Sequence, residues 1–175
     1  MPINDELKQA IRERAKYVCE YCHSPERLSA NRFTVDHVIP KSLGGSDQLT
    51  NLALACRRCN ERRYNFVAGI DPETQEIVPI FNPRQHKWAE HFVWLNQGVV
   101  IEGTTLIGRA TCLRLDLNDT RYPEEDSIRE TRRLLRSVRY VSRHACCRPM
   151  HSRLLDCFPS RLPIKSLQRR NKSYR

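Results

Sequence analysis

The sequence predicts an α+β fold in which two pairs of cysteines lie at the base of a strand–loop–strand–helix unit. Two observations lead to this prediction. Each cysteine pair, Cys19 with Cys22 and Cys56 with Cys59, encloses two residues. Between the pairs, the β-branched and apolar stretch at residues 33–40 ends at a proline, as an edge strand can. The 175 residues of the chain are enough for one packed core with further elements around it.

An amphipathic helix is expected before the first cysteine. Leu7, Ile11 and Ala15 recur at helical spacing, and Asn4 precedes an acidic first turn, which is typical of an N-cap. We expect the apolar face of this helix to pack on the cysteine-bound unit.

The spacing of the two cysteine pairs indicates a structural metal centre. Two such pairs place four thiolates about 2.3 Å from one Zn²⁺. A disulfide framework is the competing interpretation, but no secretion signal opens the chain, and thiols stay reduced in the cytoplasm. A redox motif would need only one of the two pairs. The sequence therefore predicts a structural zinc held by Cys19, Cys22, Cys56 and Cys59.

The interval between the pairs is long enough to carry a second site. After the first strand, which contains Asp36 and His37, glycines at residues 44–45 indicate a loop. Residues 52–55 can form a short second strand, and residues 57–64 contain no helix breaker. The expected order is strand, loop, strand and helix, with the cysteines at its base.

Three polar residue types in this interval and directly after it suit metal-assisted chemistry. Asp36 and His37 are neighbours on a strand, so their side chains point to opposite faces unless the strand ends between them. One of them can then hold a metal while the other reaches a water molecule. Asn60 follows the last cysteine and offers an amide oxygen, a ligand that a hard cation such as Mg²⁺ accepts.

Taken together, these motifs resemble those of the HNH endonucleases of the four-cysteine type. The resemblance rests on residues 36–42, the glycine loop, residues 51–52 and residues 56–60, and it covers about residues 15–66. It implies a ββα-metal (His-Me finger) nuclease motif on a four-cysteine zinc scaffold, with a helical and hairpin extension. Such enzymes cut DNA with the help of one divalent cation.

The resemblance also implies a role for each residue. His37 would be the general base, and Asn51 would hydrogen-bond the loop backbone and keep His37 in position. Asp36 and Asn60 would hold the catalytic cation. Asn60 stands where many members of the family have a histidine, and this difference favours Mg²⁺ or Mn²⁺ over a softer metal.

Two other functions are compatible with parts of this pattern. A zinc scaffold can bind DNA without cutting it, so a non-catalytic zinc-dependent DNA-binding module is the main alternative. A structural role without nucleic acid is the second alternative, because a single histidine on a strand is more often structural than catalytic. The Asp36-His37 pair argues against both.

Beyond the second cysteine pair, a helix, a hairpin and another helix are expected. Pro83 suits a helix start, and Trp88, Phe92 and Leu95 share one helical face. The turn residues 96–98 precede a β-branched stretch, which indicates a small hairpin.

The last helix of this region is predicted over residues 106–117, with Thr104 or Thr105 as its cap and Cys112 on its core side. Trp88 and Trp94 are expected in core packing rather than in base stacking. His86 and His91 are five residues apart, so we expect them not to share a face as metal ligands would.

We predict a nuclease domain at residues 4–66, an extension at residues 67–143 that ends in an arginine-rich helix, and a disordered basic tail at residues 144–175. The net charge of +10 falls mostly in the tail and favours DNA as the partner. No apolar run approaches the roughly 20 residues of a membrane span. A cytoplasmic protein with no membrane partner is therefore expected, and the oligomeric state stays open.

Overall fold

The structure, a computed structural model, describes residues 3–121 together with Glu130 and Arg133. Apart from Glu130 and Arg133, the arginine-rich helix predicted after residue 122 lies outside the described residues, as does the tail predicted at residues 144–175.

Within the described residues, helices alternate with short antiparallel hairpins, which confirms the α+β class. The elements in chain order are α1 (Asp5–Arg14), β1 (Thr34–His37), β2 (Leu52–Ala55), α2 (Arg57–Arg63), β3 (Ala68–Ile70), β4 (Ile77–Pro79), α3 (Trp88–His91), β5 (Phe92–Leu95), β6 (Val100–Gly103) and α4 (Leu106–Leu115). Each strand pairs with its neighbour in sequence, giving three two-stranded sheets.

The first helix begins and docks as its sequence predicts. The side-chain oxygen of Asn4 accepts a hydrogen bond from the Leu7 amide at 2.8 Å, which satisfies one unpaired donor of the first turn. At the other end of α1, Arg14 donates to the carbonyl oxygens of Leu49 and Leu52, at 2.8 and 2.6 Å. Ile11 is completely buried, so the apolar face of α1 lies on the hairpin β1–β2.

The predicted strand–loop–strand–helix order is present, with the second cysteine pair at the start of the helix. Strands β1 and β2 are antiparallel, with Thr34 opposite Ala55 and His37 opposite Leu52. All four residues of β2 are buried, so this strand lies at the centre of the core. Helix α2 follows it after a single residue, Cys56, whose sulfur accepts a hydrogen bond from the Cys59 amide.

The prediction of one helix carrying Trp88, Phe92 and Leu95 is wrong. Helix α3 ends at His91, and the next four residues form β5, which pairs with β6. Phenylalanine, tryptophan and valine fit a half-buried pleated surface, and pairing with β6 overrides the helical spacing of the apolar residues. The hairpin predicted around residues 96–98 is therefore present, but the prediction places the residues of its first strand, β5, in a helix.

Helix α4 begins where its cap predicts, since the Thr105 hydroxyl accepts a hydrogen bond from the Gly108 amide at 3.0 Å. The helix packs against β6 and β3, and its backbone comes very close to β6 at Gly103. A Cβ atom on Gly103 would lie 2.3 Å from the Arg109 nitrogen, so no larger residue fits there. The hairpin β3–β4, which has no counterpart in the sequence predictions, lies on the same helix.

One cluster of buried side chains runs from Ile11 to Leu117 and includes Phe81, Phe92 and Ile101 from the second half of the chain. Arg62 of α2 donates to the Asp116 carbonyl oxygen at 2.8 Å, so the C-terminal end of α4 is hydrogen-bonded to α2. Among the described residues, no helix combines the length and apolar character needed to cross a membrane.

Candidate metal centre and active-site cleft

The four cysteines of the two pairs meet at one point. Their sulfur atoms all lie within 4.8 Å of one another, and all four residues are buried. The Cys22 and Cys56 sulfurs are 3.7 Å apart. Four sulfurs placed tetrahedrally about 2.3 Å from a zinc ion are about 3.8 Å apart, so the spacing fits Zn²⁺.

Two tight turns present the cysteine sulfurs to one another. The first pair lies in a loop closed by the Cys19 amide, which donates to the Ser24 carbonyl oxygen at 2.8 Å. The second pair lies at the start of α2. Glu20, inside the first pair, joins the two, because its amide donates to the Leu54 oxygen and its carboxylate accepts from the Leu54 amide.

A cation would stabilise the charged form of these buried thiols. Burial is the main reason that the pKa of the Cys19 thiol is well above its usual value. The pKa of the Cys59 thiol is also raised well above its usual value, mainly by hydrogen bonds with the other three cysteines. Adjacent thiolates without a cation repel one another in a medium of low polarity. A divalent metal ion removes this penalty, and thiolate sulfurs are ligands that zinc prefers.

A polar cleft of about 460 Å³ is lined by residues of β1, of the loop that follows it and of α2. Asp36, His37 and Asn60 line this cleft together with Lys41. Asp36 and His37 are both residues of β1, and both line the cleft. Asn51, the fourth predicted residue, is buried behind the loop.

Asp36 is held by two partners at its carboxylate. Tyr21 donates its hydroxyl hydrogen to Oδ2 at 2.6 Å, and Arg63 donates to Oδ1 at 3.0 Å. Burial raises the pKa of the Asp36 carboxyl group, while Arg63 and Tyr21 oppose this shift by stabilising the charged form. Each carboxylate oxygen has a second lone pair and can therefore accept one further bond.

His37 is oriented by a carboxylate that the sequence predictions did not include. Its Nε2 lies 2.7 Å from Asp47 Oδ1, and Lys41 Nζ lies 2.6 Å from Asp47 Oδ2. The bond from Lys41, followed by the one from His37, lowers the pKa of Asp47, so its carboxylate stays ionised and can only accept. Nε2 therefore donates to Asp47, and in the neutral imidazole Nδ1 is the acceptor.

Asn51 closes the loop that follows His37. Its Oδ1 accepts from the Ile39 amide at 2.8 Å, and its Nδ2 donates to the Ile39 and Ser46 carbonyl oxygens at 3.0 and 2.9 Å. The loop also requires two glycines. Gly44 has a φ of 83°, and a Cβ atom on Gly45 would lie 1.7 Å from the Ile39 oxygen.

Tyr21, Asp47 and Arg63 are the site residues that sequence reasoning missed. Arg63 is 1% exposed, and besides Asp36 it donates to the backbone oxygens of His37 and Val38. An arginine on a short helix looks like a solvated charge in the sequence, and only its burial reveals the contact. Asp47 sits in a glycine-rich loop where an aspartate is an ordinary turn residue.

The expectation that the side chains of His86 and His91 do not share a face is wrong. Their ring centroids are 4.8 Å apart. The expectation assumed one helix through both residues, whereas α3 begins only at Trp88 and the chain turns before it. Trp88 and Trp94 lie half-buried against the core and stack on each other, with centroids 5.1 Å apart, as predicted for core packing.

The described residues thus form an α+β fold in which four buried cysteines could hold a metal ion, beside a polar cleft. Residues 19–66 match the family model described as HNH endonuclease. The match contains all four cysteines, Asp36, His37, Asn51 and Asn60, and it confirms the resemblance read from the sequence. No curated protein and no solved structure matches the chain.

Proposed function

We propose that the protein is a metal-dependent DNA endonuclease that hydrolyses phosphodiester bonds. The observation that carries this proposal is the convergence of a carboxylate, an oriented imidazole and an amide on one cleft: Asp36, His37 and Asn60. Carboxylate and amide oxygens form a hard donor set, which fits Mg²⁺ or Mn²⁺. The HNH family of the domain supports a nuclease over other hydrolases.

His37 acts as the general base. Its Nδ1 takes a proton from the attacking water, while the bond from Nε2 to Asp47 fixes the ring and stabilises the imidazolium that forms. Asp36 and Asn60 would hold the divalent cation, which neutralises charge on the phosphate and on the departing 3′ oxygen. Asn51 keeps the loop after His37 in place, and the products carry 5′-phosphate and 3′-hydroxyl ends.

The four cysteines hold a structural Zn²⁺ in this proposal. Tyr21 lies inside the first cysteine pair and donates a hydrogen bond to Asp36. Zinc binding by the cysteines therefore also fixes the position of Tyr21 beside the cleft. Reduced cysteines suit the cytoplasm as the location. DNA is the proposed partner because Lys41 lines the cleft and the chain carries a net charge of +10.

One observation favours the alternative of a non-catalytic zinc-dependent DNA-binding module. Both carboxylate oxygens of Asp36 already accept hydrogen bonds, from Tyr21 and Arg63, as they would in a purely structural role. Such a module would bind DNA and lose the fold with its zinc, but it would leave DNA intact.

Cleavage of supercoiled plasmid separates these functions. With Mg²⁺ or Mn²⁺ we expect the wild type to nick or linearise the plasmid, and His37→Ala to be slower by roughly 10²–10⁴-fold, as for the loss of a general base. Asn60→Ala should instead raise the cation concentration needed for half-maximal rate, because it removes a ligand and leaves the base.

His86→Ala is the matched control, since it removes an imidazole that lies outside the cleft. It should cut like the wild type. If the wild type relaxes no plasmid with either cation, or if His37→Ala cuts as fast as the wild type, the nuclease proposal fails and the DNA-binding module becomes the better account.

A further inference from the structure

An exposed aromatic segment leaves α2 beside the cleft. Tyr64 is 68% exposed and lines the cleft with His37 and Asn60. Phe66, two residues on, is 46% exposed, and the two ring centroids are 6.4 Å apart. We call Tyr64, Phe66 and the neighbouring Arg114 the aromatic rim.

The backbone at Tyr64 has a conformation that a tyrosine rarely adopts. Its φ is 48° and its ψ is −126°, a region that glycine occupies freely and a residue with a Cβ atom only at a cost. Hydrogen bonds from the Tyr64 amide to the Asn60 oxygen and from the Phe66 amide to the Arg63 oxygen hold it there. With its ring mostly exposed, Tyr64 gains little from core packing to offset this cost.

The rim also carries positive charge. The Arg114 guanidinium carbon lies 3.5 Å from the centroid of the Phe66 ring, and Lys41 lines the adjoining cleft. Exposed aromatic faces next to cations that can reach phosphates are the features by which proteins bind single-stranded nucleic acid. A base within a duplex is already stacked on both faces, so only an unpaired base can lie on such a ring.

We propose that the aromatic rim binds an unpaired nucleobase next to the phosphate in the cleft, so that the preferred ligand is DNA with a single-stranded segment. The position of this base relative to a cleaved phosphate rests on the proposed nuclease function. Binding of the base does not, because Tyr64 and Phe66 contact it without any bond being broken.

The test measures affinity for two DNA probes of the same sequence, one fully paired and one with a short single-stranded gap, without added Mg²⁺ or Mn²⁺ so that nothing is cut. The wild type should bind the gapped probe more tightly. Tyr64→Gly should lose roughly fivefold to 100-fold of its affinity for the gapped probe, the contribution of one stacked base, and little for the paired probe. Tyr64→Phe should keep the preference, because it keeps the ring.

Tyr17→Gly is the matched control. Tyr17 also has a positive φ, 56°, and is 45% exposed, but it lies outside the cleft. It should leave both affinities unchanged. Tyr64→Gly removes backbone strain, so its melting temperature should equal or exceed that of the wild type, which shows that lost binding is not lost folding.

Equal affinity of the wild type for both probes would overturn the proposal, as would a Tyr64→Gly variant that keeps the preference. The plasmid assay judges the nuclease proposal separately. If the protein binds gapped DNA through Tyr64 but cuts no plasmid, the proposed role of the aromatic rim is supported and the nuclease proposal is refuted. If the protein cuts plasmid but Tyr64→Gly does not change DNA binding, the nuclease proposal is supported and the role of the aromatic rim is refuted.

Discussion

The cysteine cluster and the cleft share the β1–β2–α2 unit, yet they are built in opposite ways. Each cysteine pair is a local turn, so two short segments bring all four sulfurs within 4.8 Å. The cleft side of the unit depends on polar side chains that are distant in sequence, such as Tyr21, Asp36 and Arg63. The first site is a centre of buried thiols, and the second is a network of buried charges and hydrogen bonds.

Because of this difference, substitutions at the two sites should have different effects on the stability of the domain. A metal centre that ties two segments together contributes its binding energy to folding itself, so its loss affects the whole domain. Loss of one polar contact in the cleft affects a carboxylate or an imidazole and leaves the chain path intact. The following three substitutions, from the largest expected effect to the smallest, test that comparison.

Cys59→Ser should remove zinc binding and unfold the domain. Structural zinc contributes on the order of 10 kcal/mol in small zinc domains, which is comparable to the total stability of a domain of this size. Metal analysis and a thermal melt of the purified protein measure both effects. Cys112→Ser is the control, since Cys112 lies outside the cluster and burial raises the pKa of its thiol to about 12. A Cys59→Ser variant that melts like the wild type would contradict a structural zinc site.

Arg63→Met should lower the free energy of unfolding by about 3–5 kcal/mol, the usual effect of leaving one partner of a buried ion pair without the other. Burial already raises the pKa of Asp36, and loss of Arg63 raises it further, so the folded state then takes up a proton more readily than the unfolded state. The destabilisation should therefore shrink as the pH falls and Asp36 is protonated.

Urea unfolding at several pH values measures this loss. Arg57→Met is the control on the same helix, because Arg57 pairs with Glu61 at the surface and its removal should change stability little. Equal losses for the two variants, or a loss that grows towards low pH, would show that the Arg63–Asp36 contact does not stabilise the charged carboxylate.

Asp47→Ala should act on the cleft alone. Loss of the bond to His37 Nε2 frees the imidazole to change its tautomer and to rotate, and we expect kcat to fall by roughly 10–100-fold, as for other groups that orient a catalytic ligand. Asp47→Asn should fall less, because its amide oxygen can still accept from Nε2. DNA affinity should not weaken in either variant, since each removes a negative charge.

Plasmid cleavage under single-turnover conditions gives the rate, and a thermal melt shows whether the fold is intact. Asp5→Ala is the control, as it breaks a similar lysine–aspartate pair, with Lys8, on the surface of α1. Wild-type rates for Asp47→Ala would mean that Asp47 does not position His37.

Local patterns made much of this fold predictable. The cap at Asn4, the cap at Thr105 and the turn signals around Gly44 each reflect interactions between residues close in sequence, and each prediction agrees with the structure. The spacing of apolar residues was a poorer guide after residue 86. There Phe92 fits a helix face and a strand equally well, and only pairing with β6 decided between them.

The sequence by itself determined which residues could hold zinc, because two Cys-x-x-Cys turns can bring four thiols to one point with little help from elsewhere. It also placed Asp36, His37 and Asn60 in one strand–loop–strand–helix unit. Only the tertiary structure decided that Asp36 is buried between Tyr21 and Arg63 and that Asp47 turns the His37 ring. The contacts of Asp36 join side chains from separate elements, and burial, which no local pattern encodes, strengthens them. The contact between His37 and Asp47 is partly exposed and depends on the path of the loop between the two residues.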